Sequence, residues 1–431
     1  MIKDYLNNRR ILSKLKDKEL NILTNSVFLK KILELERNFN TFFILTSCGY
    51  PSKYDTIVGI DYVEKFYNPE DISLKGRKNW LLGFITYEYG FQFYEDININ
   101  KSFKFNFSPF CFFVPKHLLV KKQSNFYYIT NDEKEFNSIL QDLKRIKLFD
   151  QNYNAKIDFF LKSRTSKKDY YGNFDYILEK IRNGEVYEVN YTIEFFNESV
   201  EIEPSLVFYR FSEYNPNPFS CFVKHDNRYL ICSSPERFLK KDKNKLLTQP
   251  IKGTILKDSN KNKPKISYKN KLENIMTVDL ARCDLSGIAL PNTLKVSKLL
   301  CLKELPTLFQ VVSEICCEVS EDISFKEILK HTFPMASMTG IPKQSALYII
   351  NDVENYAREI YSGTVGYIDN NGNFDFNVVI RSLIYNKEIC LLSYPVGGAI
   401  TIYSNKEEEF NECLLKVKGL EKSLNTKIIW E

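Results

Sequence analysis

Histidine is scarce in this chain. Three residues, His117, His225 and His331, stand far apart among 431. A zinc site built from clustered histidine and cysteine is therefore not expected. The ten cysteines do not change this, since none forms a CxxC pair and only Cys316 and Cys317 are adjacent. They read as reduced cytosolic thiols, mostly core filler. Any metal should then be a hard ion held by carboxylates. Long hydrophobic runs are missing too. None approaches the roughly 18 residues of a membrane helix. The opening MIKDYLNNRRILSKLKDKEL is too charged for a signal peptide. No membrane partner is expected, and the implied compartment is the cytoplasm. Glycine is sparse, at 16 residues. Net charge is only +6, from 60 Lys plus Arg against 54 Asp plus Glu. Spread over the whole length, it forms no concentrated basic stripe, so nucleic acid is not expected either.

What is present is ordinary for a globular chain: 44% hydrophobic and 26% charged residues, enough to bury a sizeable core. Residues 1–155 form a β-rich region, with aromatic and β-branched runs such as TFFILTS (41–47), FCFFVP (110–115) and NFYYIT (125–130). The polar stretch 131–168 is expected to be helical with loops. From 169 onward the pattern gives a helix, a turn at Asn183-Gly184, and a strand through 195. RYLICSSPERFLKK and KLLTQPIKGTI read as strands, and the basic run 257–271 as a solvated loop. Leu272, Ile275, Met276, Leu280 and Cys283 recur at helical spacing. Asp279 falls on that stripe and is expected to be buried with a partner. A further helix over 338–357 opens at Thr339-Gly340 with Pro342 in its first turn, and offers free N–H groups to an anion. TVGYI, FDFNVVIRSLIY, ICLLSY and GAITIY read as antiparallel strands, the first two joined around Asn371-Gly372. The last helix is expected to start at Ser404 in a capping box with Glu407. Its apolar face is Phe410, Cys413, Leu414, Val417 and Leu420, with Glu409 and Glu412 together on its shoulder.

Nine blocks in this order resemble the chorismate-utilising enzymes. They are GEVYEVNYT (184–192), NPNPFSCF (215–222), SSPERFL (233–239), QPIKGT (249–254), ENIMTVDLARCDL (273–285), FPMASMTGIPK (333–343), YSGTVGYI (361–368), FNVVIRSL (376–383) and a Gly-Gly-Ala turn followed by EEFNE (408–412). The resemblance implies an α+β fold of two stacked, mostly antiparallel β-sheets flanked by helices. Residues 1–155 and the chorismate-binding region 156–431 would be intertwined as one unit.

The resemblance also assigns roles. Relatives that aminate chorismate at C2 carry alanine in the PIKGT block, and those that aminate at C4 carry lysine. Lys252 would attack C2 as the C4 hydroxyl leaves, and ammonia entering at C4 would then expel it. An amine in a dry pocket beside a cation can be held partly neutral for such an attack. Glu236 would handle the proton of the C4 oxygen; otherwise it is a carboxylate paired with Arg237 or a lysine. Glu273, Glu412 and Glu409 would hold Mg²⁺. Arg381 would grip a chorismate carboxylate, with Tyr367 beside it. Thr339, Gly340, Gly397 and Gly398 would complete the anion cradle, with Lys343 and Thr293 also near substrate. Several positions depart from the pattern: Ala399 in the glycine turn, where a positive φ would be costly, and also Gly287, Cys283, Lys257, Gln310 and Tyr403. Ala399, Gly287 and Tyr403 keep a non-catalytic chorismate-binding protein open as an alternative; anthranilate synthase and isochorismate synthase are the others, and Lys252 argues against both. None of the cysteines sits in a glutaminase-type elbow, so ammonia would come from solution or from a separate glutamine amidotransferase subunit.

Overall fold

A computed structural model describes residues 12–15, 25–146, 159–256, 264–304, 308–424 and 426–430. The strand Phe110–Lys122 organises it. Twelve of its thirteen residues are apolar, aromatic or long-stemmed, and nearly all are buried, because neighbours pair along both of its edges. On one side lies Thr56–Phe66. From there antiparallel pairing continues through Thr41–Thr46, Phe219–His225, Arg228–Ser234, Ser382–Asn386 and Leu391–Thr401 to Glu188–Asn197. On its other side Leu81–Ile85 begins a second arm. This runs through Thr364–Ile368, Phe374–Asn377, Arg237–Asp242 and Lys245–Gln249 to Leu308–Glu318, on which Ile251–Leu256 also pairs. The arms pack face to face. Phe43 meets Phe84 and Phe113 at centroid distances of 6.4 and 4.8 Å. Asn377 reaches across to donate to the Phe219 carbonyl at 3.1 Å. The α+β architecture with helices outside is as expected. The two layers belong to one hydrogen-bonded network, joined along Phe110–Lys122.

The helix Lys167–Arg182 starts where Ser166 accepts from the Asp169 N–H and stops at the Asn183-Gly184 turn. Three elements differ from expectation. FDFNVVIRSLIY is not one strand. It breaks after Asn377 and resumes at Ser382, with Arg381 at φ 51° in the gap. The final helix is Lys406–Leu424, capped by Asn405, whose side chain accepts from the Glu407 and Glu408 N–H groups. Ser404 instead accepts from Thr401. In Tyr268–Ser286 the buried face is Glu273, Asn274, Thr277, Val278, Leu280, Ala281 and Leu285. Asp279 is exposed and pairs with Arg282; Ile275 and Cys283 are exposed as well. The apolar period was real but two of its members face solvent, because the core side of this helix is partly polar. The expected helix from 131 is Glu133–Arg145. Residues 147–158, and the 257–263 part of the basic run, lie outside the described residues.

Candidate active site

The strand Ile251–Leu256 slips register against its neighbour between Ile251 and Thr254. Gly253 sits in the slip at φ 88°, and a Cβ there would meet Asn270 at 2.8 Å. A bulge of this kind re-aims a side chain. Here it sends Lys252 inward. Lys252 is buried and is not an ordinary exposed amine. Its Nζ lies 3.0 Å from a Glu188 carboxylate oxygen and 3.4 Å from the Ser337 carbonyl. Burial pulls the amine's pKa down, but Glu188 and then Glu273 outweigh it and hold the ammonium above its ordinary range.

Lys252 lines a cavity of about 130 Å³ with Glu236, Glu273, Arg381, Gly397, Gly398 and Glu412. Six elements or turns thus converge at one place. Burial pushes the Glu236 carboxyl up to about 7, against the lowering effect of Ser337, Lys252 and Arg381 nearby. Glu236 is not paired with Arg237, which forms a two-pronged ion pair with Asp375 instead. Arg381 reaches the cavity from the kink before Ser382. Among the described residues its guanidinium has neither a hydrogen bond nor an ion pair. A half-buried guanidinium that lines a cavity without a partner is a site for an anion. Gly397 and Gly398 lie in the strand opposite Thr192 and Tyr191. Ala399 is in that same regular strand and has no positive φ, so alanine carries no penalty there.

Glu273 and Glu412 enter from different helices. Burial pushes Glu273 up to about 7, with Lys252 and Lys269 opposing the rise and Glu409 and Glu188 adding to it. Carboxylates set together in this way, Glu273 buried and Glu412 about half exposed, suit a divalent cation. Among the described residues no group of three His, Cys, Asp or Glu side chains is poised to hold a metal alone. Mg²⁺ commonly takes one or two carboxylates and completes its shell with water and substrate, which fits this pair. Glu409 is held by Lys269 at 2.6 Å and faces the back of Gly398, behind the cavity lining.

Other expected residues lie elsewhere. Tyr367 is not beside Arg381. It stacks on Trp80 and lines a separate small cavity with Tyr54, Phe219 and Asn377. Tyr361, six residues earlier, lines the cavity of Arg381; both tyrosines sit in one block, and only the fold separates them. Lys343 is buried in an ion pair with Asp284 at 2.7 Å, away from the cavity lining. Thr293 closes a turn through Leu290 and Glu318. Thr339 bonds to Met335 and Ala336. Gly340 pairs with Val189 and packs so closely that a Cβ would lie 2.0 Å from the Glu188 carbonyl. Thr339 and Gly340 thus support the wall from behind. The helix that follows, Lys343–Val353, begins after Pro342 and does not present its N-terminus to the cavity as expected.

Residues that sequence reasoning missed are Glu188, Asn190, Tyr361, Tyr394 and Lys416. Lys416 donates to the Gly397 carbonyl at 2.6 Å and pairs with Glu412 at 2.8 Å. A signal existed for Lys416, four residues after Glu412 on one helix face. Gln310 had been noted only as a departure. It lines the cavity with its amide oxygen buried and unpartnered. A larger groove of about 320 Å³, lined by Tyr187, Leu272, Met276, Ile402 and Tyr403, is apolar apart from Lys269 and Thr401 and offers no comparable chemistry.

A buried lysine, two raised carboxyls and an unpaired arginine around one cavity define an enzyme that works on a small anion. The chain belongs to the chorismate binding enzyme family, whose model matches residues 53–422. It is 37% identical over 264 residues to the aminodeoxychorismate synthase, chloroplastic, of Arabidopsis thaliana, a match covering 59% of this chain and 28% of that protein. It is 29% identical over 418 residues to anthranilate synthase component 1 of Saccharolobus solfataricus, covering 91% of this chain and 96% of that one. The crystal structure of anthranilate synthase component I from Streptococcus pneumoniae TIGR4 superposes with a TM-score of 0.71 at 20% identity, covering 88% and 91% of the two chains.

Proposed function

We propose that this chain aminates chorismate at C4, giving 4-amino-4-deoxychorismate, a step toward 4-aminobenzoate and folate. The observation that carries the reading is Lys252, turned by a bulge into a cavity that also holds Glu236 and an unpaired Arg381. Arg381 binds a carboxylate of the substrate. Lys252 must lose a proton before it attacks, and Glu188 at 3.0 Å is the acceptor within reach. The Nζ–C2 bond forms as the C4–O bond breaks, and Glu236 donates its proton so that water leaves. Ammonia then bonds to C4, the ring double bond shifts back, and the C2–Nζ bond breaks to free the lysine. Glu273 and Glu412 would hold Mg²⁺, which supplies positive charge beside the substrate carboxylate when bound. The relatives named component 1 support a separate partner that supplies ammonia, and a glutamine amidotransferase fits that need.

The test is incubation with chorismate, Mg²⁺ and ammonium, with the product identified by mass. Aminodeoxychorismate is expected, in ammonium but not in glutamine, and excess chelator should abolish it. Anthranilate as sole product would favour the reading suggested by the Saccharolobus solfataricus relative. Undiminished turnover in chelator would remove the metal role.

A further inference from the structure

All five guanidinium donors of Arg358 are engaged, and the residue is only 2% exposed. Two go to the carboxylate of Glu354 at 2.8 and 2.5 Å. The others go to the Met338 carbonyl at 2.8 Å, the Asn190 carbonyl at 2.8 Å and the Ser362 hydroxyl at 3.3 Å. Asn190 and Met338 both line the catalytic cavity, and Ser362 follows Tyr361, which lines it too. The Arg358 carbonyl accepts from the Tyr361 N–H at 2.9 Å. Around this hub the contacts repeat. The Tyr87 hydroxyl donates to the same Met338 carbonyl at 3.2 Å, and the guanidinium lies over the Tyr87 ring. Glu354 also accepts from the N–H and hydroxyl of Thr192, two residues beyond Asn190.

A buried ion pair by itself is a poor stabiliser, because desolvation offsets its attraction. The geometry of Arg358 has a different consequence. Its planar fork spans two carbonyls on separate segments, which a single ammonium cannot do. We infer that Arg358 is a positioning residue: it holds Asn190, Met338 and Tyr361 in one arrangement around the substrate without touching it. The inference rests on reading this cavity as the catalytic site.

Arg358→Lys and Glu88→Gln separate positioning from stability. Glu88 is also buried and accepts the Arg358 backbone N–H at 2.7 Å, but it does not line the cavity. Folding is checked by thermal melts, turnover by kcat and KM, and local order by hydrogen exchange at the Asn190 and Tyr361 amides. Folded Arg358→Lys is expected to lose at least about 10-fold in kcat, as misplaced catalytic groups do, and to exchange faster at both amides. Glu88→Gln should melt lower with kcat within about twofold. Wild-type kcat in folded Arg358→Lys, or an equal loss in Glu88→Gln, would overturn the inference. If Arg358→Lys does not fold, Tyr87→Phe decides, since it removes only the hydroxyl on Met338: a kcat loss of about threefold or more supports positioning, and an unchanged kcat overturns it. If the wild type does not turn over chorismate, the proposed reaction fails. The exchange measurement still decides the positioning role, and unchanged exchange at both amides would overturn it.

Discussion

Removing the amine of Lys252 tests whether it does chemistry or only balances charge. Lys252→Ala is expected to lose C4 amination by at least about 10²-fold, the usual cost of a missing catalytic group. Lys252→Arg should not restore it, because a guanidinium stays protonated and cannot attack. Full C4 amination by Lys252→Ala, with ammonium and Mg²⁺ saturating, would sink the covalent role. Glu188 allows a finer test through pH. Its charge raises the Lys252 pKa, so Glu188→Gln lowers it and more of the amine is neutral at a given pH. Because Lys252 titrates above Glu236, its pKa sets the high-pH end of the rate profile, which should move to lower pH, although the proton acceptor is lost and the maximum falls. Glu236 acts in the other direction. Burial holds it near 7, so it keeps its proton below that pH and loses it above. The rate should therefore rise with pH to near 7 and level off there, because further gain of neutral Lys252 is cancelled by loss of the Glu236 proton; Glu236→Gln should remove that levelling along with most of the rate. A profile measured at saturating ammonium checks both the levelling and the high-pH end.

At the level of elements, the catalytic wall depends on how closely the short strand Gly340–Ile341 approaches Glu188–Asn197. A methyl at 340 would meet the Glu188 carbonyl at 2.0 Å, so one of the two strands must move. Gly340→Ala should cost about 1–3 kcal/mol, as overpacking does. It should also displace Glu188 and Asn190 together, since they lie on one strand. A thermal melt and kcat/KM, measured on the same sample, check this. Lower stability with unchanged kcat/KM would show that the strand yields without disturbing the site. The same strand explains a gap in the sequence reading. All ten of its residues are buried, so alternation could not distinguish Glu188 from the side chains that only pack. Likewise Tyr361 and Tyr367 share one block, and which of them lines the cavity depends on the turn between residue 361 and the strand Thr364–Ile368.

At the scale of the molecule, the sheet crosses the boundary drawn at residue 155. Thr41–Thr46 sits between Thr56–Phe66 and Phe219–His225, and Leu81–Ile85 pairs with Thr364–Ile368. Expressed alone, residues 1–155 would expose both edges, which are apolar and unprotected. That fragment is expected to aggregate or remain unfolded, as judged by near-ultraviolet circular dichroism and sedimentation. A soluble, cooperatively melting fragment would contradict this.

The sequence by itself determined the family, the strand-and-helix grammar of residues 169–424 and the identities of Lys252, Glu236, Glu273, Arg381 and Glu412. These could be read because each sits in a block that resembles the family's; by itself, a lysine between a β-branched residue and a glycine reads as an exposed amine. Only the tertiary structure decided which side chains meet. It paired Lys343 with Asp284, turned Asp279 to solvent, and brought Glu188 and Asn190 to a cavity that no spacing along the chain could announce. Periodicity reports which face of an element is apolar. It does not report which other element supplies the partner for a buried charge, and in this cavity those partners, Glu188 and Glu273, set the charge of Lys252.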